Sequence, residues 1–142
     1  MAALPPLEIL AGQVIATFEI KNPPIPIESM LQHPGKGMWD EVDITRLSGG
    51  FLNVKDPYSP RMSLARLLAR HIINSEWGYA RQMDSMITSD EAMHAFARML
   101  IMPFEMVSAL SVNARNPSIL SPHFEVPEED ARLRLNELVD YL

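Results

Sequence analysis

His71, Glu91 and His94 are the residues of this chain whose types suit a metal ion, since imidazole nitrogens and a carboxylate are the common zinc donors in a protein without cysteine. Glu91 and His94 are three apart and would share one face of a helix. His71 has no such companion. It follows Arg70 directly and so points a quarter turn or more away from the face carrying Arg66 and Arg70. His33 lies in the loop Gln32-His33-Pro34-Gly35, and His123 in a separate proline-containing stretch. Scattered histidines without an i, i+4 pair read as satisfied or exposed side chains rather than as a ligand set. The i, i+4 pair that the chain does contain is Arg66 and Arg70, permanent cations with donors and no lone pair for a metal.

Those arginines lie in Arg61-Met62-Ser63-Leu64-Ala65-Arg66-Leu67-Leu68-Ala69-Arg70-His71, and a second segment reads Glu91-Ala92-Met93-His94-Ala95-Phe96-Ala97-Arg98-Met99-Leu100-Ile101-Met102-Pro103. Together they resemble the paired core helices of the ImmA/IrrE-like zinc metallopeptidases, which read roughly R-F-T-x-A-H-E-x-G-H and E-A-N-x-F-A-x-x-L-L-M-P. Aligned through Arg61, Ser63 and Ala65, the two histidines of H-E-x-x-H fall on Arg66 and Arg70, and its glutamate falls on Leu67. Glu91 sits where the resemblance places the third zinc-binding carboxylate. Such a motif works because two imidazoles on one face grip the metal while the glutamate between them handles the proton of the bound water. Arginine cannot coordinate and leucine cannot move a proton, so the resemblance implies a degenerate member with the scaffold kept and no catalytic residue, Leu67 standing at the general-base position. Arg66, Arg70 and Glu91 would then line the former metal cleft.

Two fates are open to Glu91. An ion pair with Arg66 or Arg70 would compensate a carboxylate that is costly to bury alone. Alternatively, Thr88-Ser89-Asp90-Glu91 fits a capping box, and Glu91 would reach back to a free N–H at the helix start. The arginines would in that case be ordinary solvated side chains.

The chain has 142 residues, 47% of them apolar, enough for one domain with its own core. With 12 Lys+Arg against 18 Asp+Glu, the net charge of −6 argues against nucleic acid as a partner, since phosphate-backbone binding rests on cations. No cysteine means no disulfide, thiol nucleophile or thiolate ligand and fits a reducing compartment, so the cytoplasm is expected. No apolar run is long enough to span a bilayer, the first residues carry no positive region typical of an export signal, and neither a membrane nor a cofactor is expected. Of the ten methionines, Met83, Met86, Met93, Met99, Met102 and Met106 cluster and read mainly as core filling.

The elements that must position these residues follow from periodicity and punctuation. Leu7, Leu10, Val14 and Phe18 recur at helical spacing after Pro5-Pro6, and Ile27 to Leu31 can form a short helix after three prolines. Met38 to Ile44 and Gly50 to Val54 read as strands around Ser48-Gly49-Gly50. Ser59-Pro60 opens a helix to about Asn74, Glu76 to Ser85 is a mixed connection, and a helix from about Ser89 ends at Pro103, which starts another short helix. The fold class expected is α+β and mostly helical, a zincin-like helical core with a small antiparallel sheet of about three strands.

Ile119 to Leu135 resembles the family's C-terminal L-A-x-x-F-x-V-S-x-x-A-x-x-x-R-L element, so one domain over 1–142 is implied. Residues 119–142 also have the rhythm of a helix-turn-helix. Glu128, Glu129 and Asp130 at the start of its second helix would repel phosphates and suit the helix dipole instead, so packing on the core is the expected role. Active members of the resembled family are zinc endopeptidases that inactivate helix-turn-helix repressors. The resemblance therefore implies an inactive metallopeptidase-like protein that binds a protein partner, a helix-turn-helix transcriptional regulator in the first instance. The competing readings are a zinc peptidase rebuilt on Glu91, His94 and His71, and a DNA-binding module through 119–142.

Overall fold

The structure, a computed structural model, describes residues 3–46 and 56–142. Among them are nine α-helices: α1 (Pro6–Thr17), α2 (Ile27–Gln32), α3 (Ser59–Ile73), α4 (Glu76–Ala80), α5 (Met83–Met86), α6 (Asp90–Ile101), α7 (Phe104–Ser108), α8 (Pro117–Phe124) and α9 (Glu128–Leu138). The two motif segments become α3 and α6, which pack against each other at the centre of the molecule. Met62, Ala65, Leu68, Ala69 and Ile72 of α3 and Phe96, Ala97, Leu100 and Ile101 of α6 are all buried. Their i, i+3, i+4 spacing puts each set on one stripe, and the alanines let the backbones approach closely. Tyr58 rather than Ser59 occupies the N-cap of α3, so the helix begins one residue earlier than the Ser59-Pro60 signal suggests.

The expected sheet is absent: no strand occurs among the described residues, and the α+β class is corrected to all-helical there. Met38 to Ile44 has the alternation of a strand, with Trp39 buried and Val42 and Ile44 half-buried between exposed Asp40, Glu41 and Asp43. Its backbone, however, is tied to a helix end. The free carbonyl of Leu31 in the last turn of α2 accepts from Val42 N–H at 3.0 Å and from Trp39 Nε1 at 3.3 Å. A helix terminus with unsatisfied carbonyls thus takes the donors that a neighbouring strand would have taken. Asp43 then accepts from the Thr45 N–H and hydroxyl, turning the chain into a single 3-10 turn at Ile44–Arg46. Gly50 to Val54 lies outside the described residues.

The mixed connection is two short helices. Ser75 caps α4 by accepting from Gly78 N–H at 3.1 Å and donates to the Ile72 carbonyl at 2.6 Å. Gly78 crosses the end of α3 so closely that a Cβ there would collide with the Ile72 carbonyl oxygen. Only glycine permits that crossing.

The first helix buries Glu8, Ala11, Val14 and Ile15 most deeply, a line rotated from the expected stripe, of which Val14 is buried and Leu7, Leu10 and Phe18 pack half-buried against the core. The reason is chemical. Arg134 of α9, with no solvent exposure, donates to both carboxylate oxygens of Glu8 at 2.5 and 2.7 Å and to the Met102 carbonyl at 2.9 Å. One guanidinium thereby joins α1, the residue that ends α6, and α9. A second arginine, Arg61 at the start of α3, donates to the carbonyls of Ile25, Phe124 and Glu125 and pairs with Glu28 at 3.5 Å, fixing the α8 end against the segment before α2.

Candidate functional site

The positions equated with the zinc motif meet the C-terminal helix instead of a metal. Arg66 projects from α3 toward the first turn of α9, where its guanidinium lies 3.7 Å from the Asp130 carboxylate. One turn along α6 from His94, Arg98 forms two hydrogen bonds with Glu137 of α9, at 3.0 and 2.8 Å. Two arginines from the motif helices and two carboxylates from α9 therefore make a charged junction between α3, α6 and α9.

Burial sets its electrostatics. Asp130 is held above the ordinary carboxylate range by burial, which outweighs the opposing pull of Arg66 and Arg98. His94 is held below its ordinary value by burial and then by the Arg66 charge, against Asp90 and Asp130, which favour the imidazolium. Burial works against the charge of Arg98, but the Glu137 hydrogen bonds and charge prevail and hold it firmly protonated. The Nε of Arg66 is buried with no hydrogen-bond partner, so this guanidinium is less well satisfied than those of Arg61, Arg98 and Arg134.

The expected pair between Glu91 and Arg66 or Arg70 is not formed, and the capping box is not closed either. Glu91 and Arg70 are exposed, and their side chains make no hydrogen bond or ion pair among the described residues. Ser89, not Thr88, is the N-cap of α6 and accepts from Ala92 N–H at 3.1 Å. Glu91 is consequently the second helical residue, one short of the position from which a glutamate reaches back to the cap. Asp130 takes the partner role assigned to Glu91 because α9 lies against α6 and brings its first turn over Arg66.

The alternative ligand set does not assemble. His71 faces Asp40, which with Asn74, Ser75 and Glu76 lines a polar recess of about 440 Å³. Burial and then the Arg70 charge hold its pKa below the ordinary value. His94 belongs to the charged junction, Glu91 to the surface, and His33 and His123 are exposed. Among the described residues no three histidine, aspartate or glutamate side chains stand close enough to hold a metal ion. Zinc also has no donors at the motif positions themselves, because Arg66 and Arg70 offer none and Leu67 is an apolar side chain packed on the core.

The C-terminal element is a corner of α8 and α9, closed by Val126 N–H to the Ser121 carbonyl at 3.0 Å and the Ser121 hydroxyl to the Val126 carbonyl at 2.6 Å. Its second helix turns Asp130, Ala131, Arg134 and Leu138 inward. Arg132, on the outside, is engaged by Glu129. Sequence reasoning missed both Asp130 as a junction residue and the Glu8–Arg134 pair. The available signal was phase: Asp130, Ala131, Arg134 and Leu138 follow the core spacing of a helix, and Glu8 does the same with Ala11 and Val14.

Comparison with known proteins finds no matching family model, no matching curated protein and no matching solved structure. The resemblance to the ImmA/IrrE-like peptidases accordingly rests on the motif residues themselves. No helix among the described residues is long and apolar enough to cross a membrane.

Proposed function

We propose that this chain is a non-catalytic relative of the ImmA/IrrE-like metallopeptidases, acting in the cytoplasm as a regulatory module that binds a protein partner, a helix-turn-helix transcriptional regulator. The observation that carries the reading is the Arg66–Asp130 contact at 3.7 Å, since the position equated with a metal ligand is engaged in an internal ion pair. The packing of α3 on α6 supports it as well, because the two segments that carry the resemblance are also the two that build the centre of the fold. A chain of this kind keeps the frame, lacks a group that could activate water, and acts by occupancy rather than by cleavage.

The test is calorimetric titration of the full chain with the helix-turn-helix regulator encoded nearest to it, followed by analysis of the regulator for cleavage with and without added zinc. The proposal predicts a complex with a dissociation constant of about 10 µM or tighter, equivalent to about 7 kcal/mol, and a regulator left intact in both conditions. No heat and no complex at about 100 µM would remove the partner assignment. Cleavage that a chelator abolishes would overturn the non-catalytic reading.

A further inference from the structure

We draw no further inference here: the strongest candidate, the apolar groove of about 590 Å³ between α1 and α7 lined by Ile9, Gly12, Ala16, Phe104 and Met106, carries none because nothing in the structure shows what covers it.

Discussion

Breaking the Glu8–Arg134 pair from one side should cost far more than removing it from both. Arg134 is fully buried, its carboxylate partner is 3% exposed, and the guanidinium also satisfies the Met102 carbonyl. Replacing Arg134 with leucine strands a buried carboxylate and a carbonyl; replacing Glu8 with leucine strands a buried guanidinium. Each single variant is expected to lose about 3–5 kcal/mol, the usual cost of leaving a buried charge uncompensated. Against a total stability of about 5–15 kcal/mol, that is about a fifth of the fold's stability at the least and nearly all of it at the most. In a domain of this size it corresponds to a fall in Tm of about 10–15 °C. The double variant Glu8→Leu with Arg134→Leu leaves only the Met102 carbonyl without its donor and should lie within about 2 kcal/mol of the parent. Urea unfolding followed by tryptophan fluorescence and circular dichroism gives all four stabilities, and the cycle should yield a coupling of at least about 4 kcal/mol. Single variants each costing less than about 1 kcal/mol, or a double variant equal to their sum, would refute the claim that this pair secures α9 to α1.

The remaining expectations concern the charged junction and two glycines. Asp130 is held above its ordinary value near 3.8, so the folded state binds its proton more tightly than the unfolded state, and this residue's contribution to stability falls as pH rises through the window just above that value. Urea unfolding should show the parent losing stability relative to Asp130→Asn across that window; the opposite slope would contradict it. Arg66→Gln should move the His94 pKa upward toward 6.5, read from the imidazole proton shifts, whereas an unchanged titration would show that Arg66 does not act on that ring. Because His94 is held low, its contribution to stability is lost as pH falls through the folded pKa toward acid and is fully present above 6.5. Gly78→Ala should cost about 1–3 kcal/mol by driving a methyl group into the end of α3. Gly12→Ala, inside α1 with nothing within 4 Å of the new carbon, should gain about 0.5–1 kcal/mol in the same denaturation assay.

What could be read from residues alone was local. The helices around Leu68 and Leu100, the stop at Pro103 and the inward packing of the last helix follow from spacing and backbone chemistry that act within a few residues. The strand at 38–44 misled because alternation reports only that one side of an extended segment faces the core. Whether its N–H groups meet a strand or the open end of a helix depends on where Leu31 lies, which periodicity does not encode. The face of α1 was legible only in part for a related reason: Leu7, Leu10, Val14 and Phe18 do pack on the core, but the helix is apolar nearly all round, so its deepest line is weakly defined, and a buried glutamate is admissible only once Arg134 is known to reach it from 126 positions away. Asp130 shows the same limit. Its place in the first turn of α9 suits the helix dipole, and only the packing of that helix beside Arg66 gives it a second role.

Zinc titration of the purified full chain, followed by calorimetry at neutral pH, shows whether the motif helices of this chain hold a metal. No one-to-one site is expected, because Arg66, Leu67 and Arg70 stand at the motif positions and His71, Glu91 and His94 are not brought together. A stoichiometric site of about micromolar affinity or tighter that disappears in Glu91→Ala or His94→Ala would contradict that expectation.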